Sequence, residues 1–212
     1  MKKYWSIGIL VFDGVDAFDF VGPAEIFSLV RLSKEDVLQM QLSLDQTARK
    51  PFDIKYVSEN GAPVTASNNL IIQPDFSMDD APSFDILIVP GGFIKPINRV
   101  MGSKKTIQWI INHSHEAQLV ASVCTGALLL ASAGILNGKK ATTNRAALDF
   151  MEQKFPEITV VRDSKFVDQG NVITAQGPAA GLNLAFYLVK KLFGEEVARL
   201  TANTLEYDGQ IL

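Results

Sequence analysis

Short apolar runs alternate with helix-like segments along almost the whole chain, and this alternation limits the possible folds more than any other feature. It is typical of a buried parallel sheet whose two faces are covered by helices. The runs predict strands at 6–12, 53–58, 86–89, 118–123 and 172–175, with helices at 23–32, 104–112, 125–133, 146–154, 179–192 and 195–204. We therefore expect an α/β fold with a mostly parallel sheet.

Two further segments carry turn residues between short alternating runs, namely "GAPVTASNNLIIQPD" (61–75) and "VRDSKFVDQGNVIT" (161–174). Each predicts a hairpin added to the main sheet. Pro23 is expected at a first helical position, where a missing N–H costs nothing. The chain has 212 residues, 47% of them hydrophobic, and shows no repeat or linker. We expect one domain over residues 1–212.

Charge and cysteine content exclude several protein classes. The 20 basic and 23 acidic residues give a net charge of -3 without a block of either sign, so no nucleic-acid partner is expected. Asp13 interrupts the first apolar run and no run reaches about 18 residues, so neither a signal peptide nor a membrane span is predicted. One cysteine forms no internal disulfide, and no Cys/His cluster has metal-ligand spacing. We expect a cytoplasmic protein that binds a small molecule and no metal.

Ligands of doubly wound sheets bind at the carboxyl ends of the strands. The segments that follow the predicted strands there include "PGGF", "CTG" and "QGP". Gly91 and Gly92 offer bare amides that could approach a ligand or an anion. Together with Gln176 and Gly177, they are the predicted substrate-binding residues.

Cys124, the single cysteine, ends one predicted strand and precedes a predicted helix. This is the position of the nucleophile in a nucleophile elbow, and the helix dipole is expected to lower the pKa of the thiol. Thr125 adds a hydroxyl and an N–H that could stabilise an anion, and Gly126 leaves space beside the sulfur. Free cysteines are often inert core residues, but the position at a strand end favours reactivity.

Neither of the two histidines is expected to act as the general base for this thiol. His113 and His115 precede the same strand, so they belong at its opposite end, roughly 20 Å from Cys124. Asp19 is the preferred partner, because burial beside Phe18 and Phe20 would raise the pKa of its carboxyl group. Capping of the helix expected at Pro23 is the alternative role. The pairing requires the first and fourth predicted strands to be neighbours, as we expect.

The chain resembles the ThiJ/PfpI superfamily over essentially its whole length. Three segments carry the resemblance: "VPGGF", "ASVCTGALLLASAGILNGKKATTN" and "ITAQGPAAGLNLA". The resemblance implies a flavodoxin-like three-layer sandwich, similar to class I glutamine amidotransferases, with a reactive elbow cysteine. It also implies a homodimer and no cofactor. Protease-like members carry histidine directly after the cysteine, where this chain has Thr125.

Within the superfamily, "DAFDFVGPAEIF" and the Thr-Gly after the cysteine resemble the isonitrile hydratase branch. That resemblance implies Cys124 as nucleophile, Asp19 as acid and Thr125 as their neighbour, acting on a small-molecule electrophile. Asn144 and Arg145 depart from the His-Trp common in that branch. Two alternatives stay open: a glyoxalase or deglycase, and a noncatalytic redox or ligand sensor in which Cys124 is oxidised to a sulfinic acid stabilised by Asp19. The Cys-Thr-Gly core is also similar to that of sensor domains of AraC-type regulators.

Overall fold

The structure is a computed structural model that describes residues 2–42 and 50–209. Its strands are β1 (Trp5–Leu10), β2 (Phe52–Ser58), β3 (Val64–Thr65), β4 (Ile71–Ile72), β5 (Phe76–Ser77), β6 (Ile86–Val89), β7 (Leu119–Val123), β8 (Lys140–Ala141), β9 (Thr159–Val160), β10 (Phe166–Asp168) and β11 (Val172–Ala175). Its helices are α1 (Ala17–Leu29), α2 (Lys34–Leu42), α3 (Ile94–Gly102), α4 (Lys104–Glu116), α5 (Gly126–Ser132), α6 (Leu148–Lys154), α7 (Ala180–Phe193) and α8 (Glu195–Thr204), with a 3-10 turn at Arg145–Ala147.

Seven strands form the central sheet in the order β10-β11-β7-β6-β1-β2-β5, and all neighbours are parallel except β10 and β11. The inner order β2-β1-β6-β7-β11 is that of flavodoxin-like folds. Helices α1, α7 and α8 pack together, as do α3, α4 and α5. Right-handed crossovers place these two groups on opposite faces, so the predicted three-layer sandwich is confirmed.

The strand order reverses between β1 and β6, which pair through Ile7–Ile86 and the two residues that follow. This reversal leaves a crevice beyond the carboxyl ends of the two strands. Every residue of β6 is buried, because helices cover both faces of the sheet, and that explains its uninterrupted apolar sequence.

The five main strand predictions are confirmed to within two residues, but two details of pairing are wrong. The first and fourth predicted strands, β1 and β7, are not neighbours, since β6 lies between them. The hairpin at 61–75 forms as β3 and β4, yet it is a separate two-stranded sheet. The second hairpin joins the main sheet as β10 and β11, as predicted.

The first helix differs most from its prediction. It begins at Ala17 with Asp16 as N-cap, so Pro23 lies inside the helix and not at its first position. A strong capping residue outweighed the proline as a start signal. Helices α2 and α3 were not predicted. None of the described helices is long and apolar enough to cross a membrane.

Candidate active site

Cys124 occupies a sharp turn between β7 and α5. Its φ is +57°, a left-handed conformation that costs a residue with a side chain about 1–2 kcal/mol. Its N–H donates to the Ala175 carbonyl at 3.0 Å, which anchors the turn to β11. The residue after Thr125 must be glycine, because a Cβ on Gly126 would lie 2.0 Å from the Val89 carbonyl oxygen. A positive φ in a tight strand-to-helix turn is the backbone geometry that a nucleophile elbow requires.

Asp19 reaches the same place from the first turn of α1. Its side chain is fully buried, and Oδ2 accepts a hydrogen bond from the Gly91 N–H at 2.9 Å. Oδ1 has no hydrogen-bond partner of standard geometry within residues 2–42 and 50–209. No described cation forms an ion pair with Asp19. The alternative capping role is wrong, since Asp16 caps the helix.

Burial and the nearby Asp16 charge raise the pKa of Asp19 to about 7, although the Gly91 N–H and the Cys124 thiol lower it in part. The predicted direction for this carboxyl group is therefore confirmed. A group that titrates near neutrality is suited to both accepting and donating a proton at physiological pH.

The pKa of Cys124 is raised to about 12, first by burial and then by the charge of Asp19. The expected lowering by the helix is wrong, because desolvation of a thiol only 6% exposed outweighs the N–H of Thr125 and the amide of Asn144. The resting sulfur is thus a thiol that needs a proton acceptor, and Asp19 interacts with it directly.

The Thr125 hydroxyl holds the loop after β6. It donates to the Gly92 carbonyl at 2.7 Å and accepts from the Gly92 N–H at 2.9 Å. The Gly91 N–H is likewise occupied, by Asp19. The two glycine amides predicted to face substrate are therefore engaged within the protein here, and the Thr125 N–H is the backbone donor that faces the sulfur.

The other two predicted substrate-binding residues are not in the lining of the cavity beside the thiol. Gln176 donates its side-chain amide to the Arg162 carbonyl at 2.9 Å and its N–H to Lys165. Neither Gln176 nor Gly177 lines the cavity beside Cys124, whereas Pro178 does.

A cavity of about 410 Å³ opens beside the sulfur. It is lined by Asp16, Gly92, Phe93, Ile94, Cys124, Thr125, Asn144, Ala146, Ala147 and Pro178. Most of this surface is apolar. Its polar side chains, apart from the thiol and Thr125, are those of Asp16 and Asn144.

The sequence did not predict direct roles for Asp16 and Asn144. Asn144 donates to the Cys124 sulfur at 3.4 Å, while its Oδ1 accepts from the Ala146 N–H at 3.0 Å. One side chain therefore caps the turn at Arg145–Ala147 and contacts the thiol. The cap signal is visible in the sequence, but the contact depends on how β8 and β7 are placed.

The histidines lie where the sequence placed them. Both His113 and His115 occupy the last turn of α4, just before β7 begins. His113 stacks on Trp109, with ring centroids 4.2 Å apart. Both imidazoles of the chain are thus at the opposite end of the strand from Cys124, and neither can act on its thiol within the subunit.

Comparisons with known proteins agree with the fold. A family model described as the DJ-1/PfpI family matches residues 5–191. Isonitrile hydratase of Pseudomonas putida is 32% identical over 95% of this chain and 78% of its own length. The HTH-type transcriptional regulator CdhR of Pseudomonas aeruginosa is 29% identical over 67% of this chain, but only 41% of that regulator is matched. A crystal structure of a ThiJ/PfpI family protein from Pseudomonas syringae has a TM-score of 0.81 at 25% identity, covering 98% of this chain and 76% of its own.

Proposed function

This chain belongs to the DJ-1/PfpI family, and we propose that it is an isonitrile hydratase whose reactive centre is the Cys124–Asp19 pair. It adds water to an isonitrile and releases an N-substituted formamide. The single observation that carries this proposal is the buried carboxyl group of Asp19, with a pKa of about 7, interacting with a thiol that no imidazole serves.

The first step needs a proton at the terminal isonitrile carbon and a nucleophile at the same atom. Asp19 takes the proton from the Cys124 sulfur and delivers it to that carbon, while the sulfur forms the C–S bond. The product is a thioimidate, R–N=CH–S–Cys124. A carboxyl group with a pKa near 7 is present in both protonation states at neutral pH, which suits a proton relay. Because the pKa of the Cys124 thiol is about 12, its proton moves as the C–S bond forms and not before.

In the second step water adds to the thioimidate carbon. One water proton goes to the substrate nitrogen, the C–S bond breaks, and the other proton returns to the Cys124–Asp19 pair. The formamide R–NH–CHO leaves, and the sum is the isonitrile plus one water. The Asn144 amide and the Thr125 N–H stabilise the sulfur as it gains and loses charge.

Two other features support a small electrophile with a partly apolar body as the substrate. The cavity beside Cys124 is large enough for an alkyl or aryl isonitrile, and Phe93, Ile94 and Pro178 line it. The chain is also 32% identical to a protein named isonitrile hydratase over 95% of its length.

The redox-sensor alternative is opposed by the thiol itself. Sensor cysteines are exposed and have a lowered pKa, whereas Cys124 is buried and its pKa is raised. No observation on the site favours a glyoxalase or deglycase over the hydratase, and methylglyoxal consumption measured in the same assay separates them.

The test is formamide production from an aryl isonitrile by the wild type, Cys124→Ala and Asp19→Asn. We expect a loss of about 10³-fold or more for Cys124→Ala and of about 10²–10⁴-fold for Asp19→Asn. Glu25→Gln, an exposed substitution on the same helix α1, is the matched control and keeps full activity. Wild-type protein that alkylates at Cys124 but makes no formamide would refute the hydratase.

A further inference from the structure

Among the described residues that line the cavity beside Cys124, one has an acidic side chain, Asp16. The remaining lining is apolar or uncharged. A charge at the edge of a low-dielectric cavity acts on a bound ligand more strongly than a charge in water does. The electrostatic preference of this cavity therefore depends largely on Asp16.

Asp16 is held in place without being neutralised. Its Oδ1 accepts from the Phe18 N–H at 3.0 Å as the N-cap of α1, and its own N–H donates to the Gly91 carbonyl at 2.9 Å. Within the part of the chain that the structure describes, no lysine, arginine or histidine forms an ion pair with it. The charge of Asp16 is also felt at the thiol and at Asp19, since it raises the pKa of both.

Within residues 2–42 and 50–209, lysine and arginine side chains occur near the cavity but not in its lining. Lys95 follows Ile94 and Arg145 follows Asn144, and both are exposed. Their charges are screened by solvent more strongly than that of the partly buried Asp16.

We propose that Asp16 selects electrophiles whose substituent carries a cationic group, such as an ammonium, and rejects those that carry a carboxylate. For isonitriles this inference rests on the proposed function. The selection itself applies to any electrophile that reaches Cys124 through the cavity.

A test that does not need the hydratase uses methanethiosulfonates, which transfer a thioalkyl group to a cysteine as methanesulfinate leaves. Cys124 is the only cysteine of the chain, so intact mass reports its modification alone. The rates of the aminoethyl (cationic) and sulfonatoethyl (anionic) reagents are each divided by their rates with free mercaptoethanol. We expect the cationic reagent to be favoured by about tenfold or more in the wild type.

Asp16→Asn removes the charge and keeps the helix cap, because asparagine caps as well as aspartate does. We expect the ratio of cationic to anionic rates to fall by about threefold or more. A ratio within one variant cancels any change in the intrinsic reactivity of the thiol. Glu25→Gln removes one negative charge from the exposed face of the same helix and should leave the ratio unchanged.

Three results would overturn the proposal: a wild-type ratio of one or less, a ratio that does not fall in Asp16→Asn, or an equal fall in Glu25→Gln. The same comparison with aryl isonitriles bearing aminomethyl or carboxymethyl groups extends it to turnover. Charge-selective modification without isonitrile turnover would refute the hydratase and leave the selection standing. Turnover without a preference for the aminomethyl substrate would refute the charge selection and leave the hydratase standing.

Discussion

Two carboxylates at opposite ends of the same pair of strands have opposite surroundings. Asp85 directly precedes β6 and accepts hydrogen bonds from the Ser6 N–H at 2.9 Å, the Ser6 hydroxyl at 3.1 Å and the Gln118 amide at 3.2 Å, and it pairs with Lys2. Asp19, beyond the carboxyl ends, has the Gly91 amide and the thiol. Partial burial raises the pKa of Asp85, but the Lys2 and Ser6 hydrogen bonds outweigh it and hold that pKa below its usual range.

The difference separates a carboxylate that stabilises the fold from one that we propose takes part in the reaction. Asp85 connects the first residues of the chain to β6 and β7, and its negative charge is compensated by Lys2 and by hydrogen bonds from Ser6 and Gln118. Asp19 is buried without such compensation, so its anion is costly. Strain at Cys124 adds to that cost at the same end of the sheet. Sites that store unfavourable groups in this way are typical of functional centres.

The largest expected effect is on the pH dependence of stability through Asp19. Its pKa is about 7 in the folded protein against 3.8 ordinarily, so its favourable contribution is present below about pH 4 and is lost as the pH rises through 7. The full shift corresponds to about 4 kcal/mol. Urea unfolding should show that Asp19→Asn gains stability relative to the wild type between pH 4 and pH 8. If the difference in unfolding free energy between Asp19→Asn and the wild type stays constant with pH, the assigned pKa is contradicted.

Asp85→Asn should behave in the opposite way. Its folded pKa is lowered, so its contribution is present above the ordinary value of 3.8 and is lost as the pH falls. We expect a loss of about 2 kcal/mol near pH 8 that shrinks toward pH 3, measured by the same urea unfolding. Isonitrile turnover should stay within about twofold of the wild type, because Asp85 is at the other end of the sheet. A tenfold loss of turnover would break the contrast between the two ends.

Asn144 offers a smaller test at the carboxyl end. Asn144→Ala removes the amide 3.4 Å from the sulfur, and we expect turnover and the rate of Cys124 alkylation at fixed pH to fall by about tenfold. Asn144→Ser keeps a capping oxygen for the Ala146 N–H but lacks the amide donor. It should be as slow as Asn144→Ala yet more stable, and recovery of the rate by serine would assign Asn144 to capping alone.

The smallest effect concerns the strained backbone. Because Cys124 has a φ of +57°, Cys124→Gly should be more stable than Cys124→Ala by about 1 kcal/mol. Ser122, two residues earlier on β7, is not among the positive-φ residues of the described chain. There the order should reverse, with Ser122→Ala more stable than Ser122→Gly, and denaturant unfolding of all four variants checks both. A Cys124→Ala variant at least as stable as Cys124→Gly would mean that the turn at Cys124 is not strained.

A sequence prediction succeeded where the interactions that decide the feature lie within a few residues, and it failed where they do not or where two local signals compete. The strand 86–89 is apolar at every position and was predicted at its true bounds. The start of α1 was misplaced because two local signals competed, and the cap at Asp16 outweighed the proline. The lowered thiol pKa was wrong because a helix dipole is a local property, whereas desolvation of Cys124 depends on every segment that packs over it.

The sequence by itself determined the alternation of strands and helices and the place of Cys124 between a strand and a helix, and it suggested Asp19 as the partner of the thiol, because periodicity, turn residues and neighbouring aromatics act over a few residues. Tertiary structure alone decided that β6 separates β1 from β7 and that the Gly91 and Gly92 amides are engaged within the protein. It also decided that Asp16 and Asn144 line the cavity. These features depend on contacts between segments far apart in the chain, where packing and burial set both the geometry and the charge state.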